Sequence, residues 1–564
     1  MKTPLPASSA AVLAALLAGC AGMSAPPAPT ALGTEPAAAC AALNASVPPS
    51  AIGLPSGVAS VDSATLTPAT ALAVAERGPT PAGRITPALP AFCKVLGRIA
   101  PLDAKAPPIL FQVNLPLQWN GRSVQYGGGG FNGVLITGLG LAAAGRFDLG
   151  PPLAQGYITV GTDSGHQNKP GEAPQAFAAN DEAFVNFAHA SYKKVRDVSV
   201  ALAQRAYGRA PDKLYFMGSS EGGREALTMA QRYPADFDGI LARVPVINWT
   251  GLMHVSNRAG LVTMGEGWLG EPQVNLVHNA VLATCDAADG SADNLVANPV
   301  GCKAAFDVRS LQCVAGTSGD HCLSPAQVLA VQTHQSAWDA PFPLANGVTR
   351  YPGWGVSGEA AAPFGPSGGY RAWWTGLSAP TLPAKPDNGI SWFFGSGAIQ
   401  HIFARDPNFD VRRYKPEDFA DRVRQVSVLM DSTNPDLSAF HARGGKLVVL
   451  EYMADYAQSP YAGVAYFESV QAKMGVDATA RFARLYTAPG VDHVGGGAPA
   501  NIDMLGLLSD WVERGKAPAN VQIVEQEVRA PFAATRALPL CEWPQWPHYK
   551  GGAPNQAASF ECAR

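Results

Sequence analysis

Short apolar runs that alternate with amphipathic stretches dominate the first half of the chain. Alternating apolar positions in 92–95 and 109–115 predict two antiparallel strands near the beginning of the fold. After them, apolar runs of strand length alternate with stretches in which apolar residues recur at helical spacing. This alternation indicates a mostly parallel sheet covered by helices. The predicted strands are 157–161, 214–217 and 237–242, and the predicted helices are 181–207 and 224–232.

The pattern changes within residues 247–428. Strand–helix alternation disappears there, tryptophan and glycine become frequent, and four cysteines occur. Alternation resumes afterwards, with strands predicted at 445–452 and 482–486 and helices at 461–474 and 502–514. We therefore predict a core built from residues 40–246 and 429–564, interrupted by an inserted lid at 247–428.

A candidate nucleophile lies between the strand 214–217 and the helix 224–232. The sequence there is Gly218-Ser219-Ser220-Glu221-Gly222. A G-x-S-x-G turn between a strand and a helix exposes its serine at the end of an α/β-hydrolase sheet. The motif alone also arises by chance in a glycine-rich chain, but the flanking elements favour a nucleophile over a surface turn. We predict an α/β-hydrolase core with Ser220 as nucleophile.

The partners of this serine should follow it in the order acid, then histidine. Asp455 comes just after the predicted strand 445–452, and His493 lies in a later glycine-rich loop. His548 is the other histidine after Asp455, and its neighbourhood looks structural. Asp492 is a rival acid, but a residue next to the histidine rarely aligns its carboxylate with the ring. We predict that Asp455 orients His493, which activates Ser220 for acyl transfer.

Four consecutive glycines, Gly127–Gly130, follow an early apolar run. Their backbone N–H groups can point together at an anion. No Gly-Lys-Ser/Thr follows, which excludes a phosphate loop of the usual type. A flexible hairpin is the alternative. We expect an oxyanion hole formed by the N–H groups of Gly130 and Glu221.

Composition and net charge indicate the class of protein and limit the kinds of binding partner to expect. Of the 564 residues 47% are hydrophobic and 15% charged, which indicates a globular protein with a large core. The formal net charge of −3 and the lack of basic clusters give no reason to expect nucleic acid as a partner.

The N-terminus predicts export. Residues 1–19 have the charge and the short apolar run of a signal peptide, and that run is too short to span a bilayer. The end of this segment, Leu17-Ala18-Gly19-Cys20, resembles the bacterial lipobox, which predicts lipidation of Cys20. An ordinary cleaved signal is the alternative. Residues 20–39 read as a disordered tether, and we expect membrane contact only through the lipid, in an outer-membrane, periplasmic or secreted protein.

Eight cysteines remain after Cys20, and an even number in an exported protein suggests disulfides. Many connectivities are possible, and pairing of nearest neighbours is the simplest. No C-x-x-C pair occurs, so a zinc site is not expected. The nearest-neighbour pairs are Cys40–Cys93, Cys285–Cys302, Cys313–Cys322 and Cys541–Cys562.

Five segments of the chain carry a resemblance to a known family: Thr162–His166, Gly218–Glu225, Tyr233–Ile240, Gly444–Leu447 and Trp511–Pro518. They resemble the tannase and feruloyl esterase family, which includes bacterial hydrolases of mono(2-hydroxyethyl) terephthalate. The resemblance runs from about Cys40 to Cys562 and includes the cysteine spacings. It implies an α/β-hydrolase core with a large lid, the four nearest-neighbour disulfides, and hydrolysis of aromatic esters.

The resemblance also implies a structural calcium ion in the lid. From the residues alone, three acids around Gly290 suit hard oxygen ligands but equally suit a solvated acidic turn. The implied ligands are the carboxylates of Asp286, Asp289 and Asp293 and the backbone carbonyls of Ser291 and Leu295.

Ser219 and Val494 mark a departure from the family. Its members usually carry cysteines at these two positions, joined in a disulfide that ties the nucleophile to the histidine loop. Both cysteines are absent here. Packing alone would then hold the two loops in register, and we expect a site less resistant to heat.

Trp373 and Phe394 are the expected contacts for an aromatic acyl group, although lid core is the other interpretation for each. The arginine that terephthalate-ester hydrolases use has no clear counterpart in 387–391, but Arg405 or Arg412 could substitute. This favours small phenolic esters as substrates. We predict a serine esterase of the feruloyl or galloyl type. The alternatives are a mono(2-hydroxyethyl) terephthalate hydrolase and a non-catalytic, lipid-anchored binding protein on a hydrolase fold.

Overall fold

The computed structural model describes residue 1 and residues 28–70, 88–359 and 369–564. Residues 2–27, which include nearly all of the predicted signal peptide, Cys20 and the first part of the predicted tether, lie outside the described residues. The prediction of a disordered tether is wrong for its described part, 28–39, because Thr30–Ala31 pairs with Gln118–Trp119 and the helix Pro36–Ala41 begins there. No helix in the described ranges is long and apolar enough to cross a membrane.

A ten-stranded sheet forms the centre of the molecule. Its strands are β1 (Ala59–Thr67), β2 (Phe92–Ile99), β3 (Ile109–Pro116), β4 (Arg122–Tyr126), β5 (Ile158–Thr162), β6 (Lys213–Ser219), β7 (Gly239–Arg243), β8 (Lys446–Tyr452), β9 (Ala483–Ala488) and β10 (Cys541–Glu542). Their spatial order is β10-β9-β8-β7-β6-β4-β5-β3-β2-β1. The six strands from β9 to β5 run parallel, while β1, β2, β3 and the terminal β10 pair antiparallel.

Four further strand pairs in the described ranges lie outside this sheet, and all four are antiparallel. They are Thr30–Ala31 with Gln118–Trp119, Trp338–Asp339 with Arg350–Tyr351, Gln522–Gln526 with Ala534–Pro539, and Trp546–Tyr549 with Phe560–Ala563.

Helices cover the sheet because its parallel strands are apolar on both faces, as their buried residues show. The helices outside 247–428 are Pro36–Ala41, Asp181–Val185, Ser191–Tyr207, Glu221–Arg232, Ser438–Ala442, Pro460–Met474, Val476–Ala480 and Met504–Arg514. Those within it are Trp249–Val262, Glu271–Cys285, Pro299–Ala305, Pro325–Gln335, Tyr370–Trp373, Ile390–Ala398 and, reaching slightly beyond it, Ala420–Met430.

The predicted α/β-hydrolase class and mostly parallel sheet are confirmed, and strand ends differ from the predicted ones by only a few residues. The predicted helix 181–207 contains a π-helical turn at Asn186–Ala190. There the Ser191 backbone N–H donates to the carbonyl of Asn186, five residues earlier. A hydrogen bond of this span fits the wider π turn.

All four nearest-neighbour disulfides are present: Cys40–Cys93, Cys285–Cys302, Cys313–Cys322 and Cys541–Cys562. Disulfides persist in oxidising compartments, so this set indicates an exported protein.

The inserted region packs directly on the core beside the glycine-rich loop, Gly127–Gly133. Phe131 of this glycine loop shares one buried apolar cluster with Phe187 of the core and with Trp249 and Trp392 of the inserted region. The rings of Phe131 and Trp249 meet edge to face at a centroid distance of 5.9 Å. The inserted region therefore covers the sheet edge at which the loop lies.

Candidate active site

Ser220 lies in a sharp turn with a strained backbone conformation, and the neighbouring backbone segments pack closely around it. Its φ of 60° and ψ of −122° lie in a region that non-glycine residues rarely adopt. A Cβ on Gly218 would lie 2.2 Å from the carbonyl oxygen of Gly222, and one on Gly222 would lie 2.6 Å from that of Gly128. The Ser220 N–H donates to the Arg243 carbonyl at 3.0 Å, which fixes the turn against β7. The G-x-S-x-G glycines are thus needed for the approach of strand, helix and glycine loop.

The structure brings Ser220, His493 and Asp455 together at the carboxyl edge of the parallel strands. His493 Nε2 lies 3.0 Å from Ser220 Oγ, and His493 Nδ1 lies 2.6 Å from Asp455 Oδ2. The other carboxylate oxygen of Asp455 accepts from the N–H groups of Ala457 and Gln458 at 2.7 and 3.0 Å. Asp455 and His493 are both buried. This is the geometry of an activated nucleophile, a base and an orienting acid.

The rival Asp492 has a different task. Its Oδ1 accepts from the N–H groups of Val494 and Gly496 at 3.0 and 2.8 Å, closing the loop that carries His493. His548 pairs with Glu561 in the short sheet Trp546–Tyr549/Phe560–Ala563, far along the chain from the three site residues. Neither side chain hydrogen-bonds Ser220 in the described structure, whereas His493 does.

Three of the four consecutive glycines donate their backbone N–H groups to acceptors within the protein. Gly127 donates to the Met217 carbonyl at 2.8 Å, Gly128 to Glu225 Oε2 at 2.8 Å, and Gly129 to Asn132 Oδ1 at 2.5 Å. The N–H of Gly130 has no acceptor among the described residues. Gly130 and Glu221, the two predicted oxyanion donors, both line the cavity in front of Ser220.

A buried carboxylate, Glu225, holds this loop in place. Its Oε2 accepts from Gly128, and its Oε1 accepts from Asn132 Nδ2 and the Tyr192 hydroxyl. Tyr192 also accepts from Asn132 at 2.6 Å. Burial raises the pKa of Glu225, while nearby Arg224 and these donors lower it. Three donors on two oxygens are best satisfied by the ionised carboxylate.

Glu221 can contribute its backbone N–H to the cavity, whereas its side chain is paired with Arg224. The carboxylate pairs with the fully buried Arg224 at 2.6 Å, and burial raises the pKa of Glu221 to about 7. Arg224 also donates to the carbonyls of Ala188 and Met430. This pair anchors the first turn of the helix Glu221–Arg232 against its neighbours.

The cavity in front of Ser220 is small and mainly apolar. Trp373 and Phe394, the predicted aromatic contacts, line it, whereas their neighbours Trp374 and Trp392 are fully buried elsewhere. The Trp373 ring lies 5.7 Å from that of His493, centroid to centroid. The remaining lining residues are Gly130, Phe131, Glu221, Val246, Trp249, Leu252, Met253, Ala457, Gln458 and His493.

The two arginines considered as carboxylate anchors do not line this cavity. Arg405 pairs with Asp181 at 3.1 Å, and Arg412 pairs with Asp410 at 2.8 Å on the surface. Each is therefore committed to a neighbouring acid, and the interpretation of either as a substrate anchor is not supported.

Ser219, one of the two positions where the family disulfide is missing, has a polar partner instead. Its hydroxyl accepts from Arg243 Nε at 2.6 Å. The Arg243 guanidinium also lies over the Tyr452 ring, 5.4 Å from its centroid. Thus a hydrogen bond to the end of β7, rather than a link to Val494, fixes this position.

The predicted calcium loop is folded around its own acids. Asp289 is buried and accepts from the N–H groups of Ser291 and Ala297 at 3.2 and 2.6 Å. Asp286 accepts from the Asp293 N–H at 3.1 Å, and Arg536 pairs with the Asp293 carboxylate at 2.5 Å. Asp293 also accepts from the N–H of Leu295, the last predicted ligand. No set of three or more His, Cys, Asp or Glu residues in the described ranges is arranged to hold a metal ion.

Sequence reasoning missed the residues that support the site. Asn132, Tyr192 and Glu225 lie far apart along the chain, and no sequence motif connects them. Glu225 alone offered a signal, as an acid on the apolar side of the helix after the nucleophile. Gln458 was missed because its importance depends on the cavity that it lines.

Comparison with known proteins agrees with this geometry. A family model described as tannase and feruloyl esterase matches residues 93–563. An uncharacterized esterase of Agrobacterium fabrum is 37% identical over 489 residues, covering 84% of this chain and 85% of its own. Mono(2-hydroxyethyl) terephthalate hydrolase of Piscinibacter sakaiensis is 34% identical over 536 residues, covering 86% and 87%. The crystal structure of feruloyl esterase B from Aspergillus oryzae shares the fold, with a TM-score of 0.74 at 24% identity, covering 93% of this chain and 100% of its own.

Proposed function

This chain belongs to the tannase and feruloyl esterase family and is a serine carboxylic ester hydrolase, and we propose that its substrates are small esters of aromatic acids of the feruloyl and galloyl type. The observation that carries the proposal is the hydrogen-bonded line from Ser220 through His493 to Asp455, which opens into a cavity walled by aromatic rings.

In the acylation step, Ser220 Oγ attacks the ester carbonyl carbon while His493 Nε2 takes the hydroxyl proton. Asp455 accepts from Nδ1, so the imidazole keeps its free electron pair on the side of the serine. The carbonyl oxygen becomes negative, and the N–H groups of Gly130 and Glu221 stabilise it. The imidazolium then protonates the leaving alcohol, and the aromatic acyl group stays on Ser220.

In the deacylation step, His493 takes a proton from water, which attacks the acyl carbon, and then returns a proton to Ser220 Oγ as the acid leaves. No metal is needed in either step, because the nucleophile, the base and the anion donors all come from this chain.

A serine-reactive fluorophosphonate probe tests the nucleophile. We expect it to label the wild type and not Ser220→Ala, whose hydrolysis of methyl ferulate should fall by at least about 10³. Ser219→Ala is the matched control, since its hydroxyl contacts Arg243 and not the histidine. Equal labelling of Ser220→Ala would contradict the assignment, and an unlabelled, inactive wild type would favour a non-catalytic binding protein.

Substrate class is tested by comparing methyl ferulate, methyl gallate and mono(2-hydroxyethyl) terephthalate. The cavity walls described above contain no lysine or arginine to hold a free carboxylate. We therefore expect the two phenolic esters to have the higher kcat/KM. A preference for the terephthalate monoester would replace the proposal by its alternative.

We further propose that residues 247–428 act as a lid stabilised by Ca²⁺ at the acidic loop. Support comes from three carboxylates within eight residues on a turn at Gly290, a hard oxygen set that suits calcium. To hold the ion, Asp286, Asp289 and Asp293 would exchange the backbone and Arg536 contacts described above for Ca²⁺, with the carbonyls of Ser291 and Leu295 as further ligands. Calcium at 100 times its Kd should stabilise the fold by about 2.7 kcal/mol.

Titration calorimetry with CaCl₂ and thermal unfolding in EGTA test this proposal, with Asp289→Asn as the variant expected to lose binding. The absence of both heat and a shift in Tm would mean that Arg536 supplies the positive charge that the acids need.

We also propose that the exported protein is anchored through lipid on Cys20. The four disulfides support export, and the lipobox-like sequence supports the anchor. Expression in a Gram-negative host should give a membrane-fraction protein, and Cys20→Ser should release it. Recovery of both proteins in the soluble fraction would exclude the anchor.

A further inference from the structure

One polar side chain interrupts the apolar wall of the active-site cavity. Leaving aside the serine, the histidine and Glu221, which is paired with Arg224, the lining consists of glycine, alanine, aliphatic and aromatic residues and one amide, Gln458. Gln458 follows the acid of the triad by three positions, and its N–H donates to Asp455 at 3.0 Å. Its place at the wall is therefore fixed by the same carboxylate that orients His493.

The amide nitrogen of Gln458 is one of several buried polar atoms in the described structure that have no hydrogen-bond partner. The residue is only 1% exposed, and its Nε2 has no hydrogen-bond partner among the described residues. A buried amide group without a partner destabilises the fold. A leucine or methionine would fill a similar volume without this cost. What distinguishes Gln458 is that it also lines the cavity, so a ligand bound there can supply the missing polar partner.

We propose that Gln458 is a specificity-determining residue that hydrogen-bonds a hydroxyl group on the aromatic ring of the acyl moiety. The proposal deepens the proposed function, on which it rests. An amide presents a donor at one end and an acceptor at the other, and a half-turn about its last bond exchanges the two. A phenolic hydroxyl can both donate and accept, so it satisfies either orientation.

The surrounding wall favours the same class of ligand. Trp373 and Phe394 stand edge to face, with centroids 5.9 Å apart, and Phe394 and Phe131 do so at 5.0 Å. These rings offer apolar contact to a planar acyl group, and Gln458 adds one polar contact. An unsubstituted ring would fill the cavity but leave the amide unpaired. Sites built to bind a hydroxyl discriminate strongly against analogues that lack it.

Three esters that differ only in the ring substituent test the proposal: methyl benzoate, methyl 3-hydroxybenzoate and methyl 4-hydroxybenzoate. The kcat/KM of each is measured for the wild type, Gln458→Leu and Gln458→Met. A hydroxyl also changes the intrinsic reactivity of the ester. That effect cancels when the ratio of hydroxylated to plain ester is compared between proteins.

We expect this ratio, for at least one hydroxylated ester, to fall by about 10- to 100-fold in both variants, as loss of one buried hydrogen bond implies. Most of the fall should come from the hydroxylated ester. A ratio that changes by less than about twofold in folded variants would overturn the proposal.

A binding measurement on the wild type needs no variant. The product acids 3- and 4-hydroxybenzoate should bind more tightly than benzoate in calorimetry, and equal Kd values for all three would overturn the proposal. The proposed function fails in a different way: none of the three esters, nor methyl ferulate, would then be hydrolysed by the wild type.

Discussion

Glu225→Gln tests how the oxyanion donors are held in position. In the wild type, Oε2 of Glu225 accepts from Gly128, and Oε1 accepts from Asn132 and Tyr192. Glutamine keeps one acceptor oxygen, so its NH₂ must face either the Gly128 N–H or the other two donors. Asn132 cannot simply turn its amide, because its Oδ1 already accepts from Gly129. At least one hydrogen bond to a charged group is lost, about 1.5–3 kcal/mol.

This loss acts on the glycine loop and not on the substrate. We therefore expect kcat for methyl ferulate to fall by about 10- to 100-fold, since each 1.4 kcal/mol is about tenfold. The loss of an entire oxyanion donor, about 10²–10³, sets the upper limit. KM should change by less than about twofold, because Glu225 is fully buried and does not line the cavity.

Steady-state kinetics and the affinity for a boronic acid, which mimics the tetrahedral intermediate, provide the assay. Affinity for the boronic acid should fall in parallel with kcat, which a purely structural role would not require. Tyr192→Phe is the matched control: it removes one donor but leaves each oxygen of Glu225 with another, so kcat should fall less than about tenfold. A folded Glu225→Gln protein with kcat within about twofold of wild type would refute the reasoning.

Three further predictions concern pH, heat and substrate binding. Burial raises the pKa of Asp163 from 3.8 to about 7, so the stability it contributes is full below about pH 4 and is lost as pH rises through 7; Asp163→Asn should flatten the pH dependence of Tm over that window, and an unchanged profile would contradict this. Ser219→Cys combined with Val494→Cys should lengthen the half-life of thermal inactivation; no gain despite a formed disulfide would show that packing already holds the two loops. Trp373→Ala should raise KM for methyl ferulate by about three- to tenfold and leave hydrolysis of 4-nitrophenyl acetate nearly unchanged; equal effects on both esters would argue against ring contact.

Local pattern accounts for what the sequence could predict. The strand β6, the turn at Ser220 and the helix after it are contiguous, and each is specified by residues within a few positions of one another. Asp455 and His493 could be chosen because parallel strands place their carboxyl ends at one edge. The four disulfides followed from simple neighbour pairing and are confirmed.

Contacts between distant segments could not be predicted in the same way. Glu225 meets Asn132 across 93 positions and Tyr192 across 33, and no local rule pairs them. Adjacent aromatic residues such as Trp373 and Trp374 have the same chemistry, and only the fold shows that one faces the cavity while the other is core. The partner of Asp293 is Arg536, which lies 243 positions later.

The walls of the cavity have two origins, and this has an evolutionary consequence. The catalytic residues lie on loops at the edge of the sheet, whereas Trp373 and Phe394 lie in the inserted region. Mutations that accumulate in the insertion can alter which acid is accepted without touching the reactive atoms. Substitution of Phe394 is more constrained, because its ring lies close to the glycine loop. A Cβ built on Gly130 would lie 3.4 Å from that ring. A substitution of Phe394 that changes substrate specificity must therefore also preserve the shape of the glycine loop.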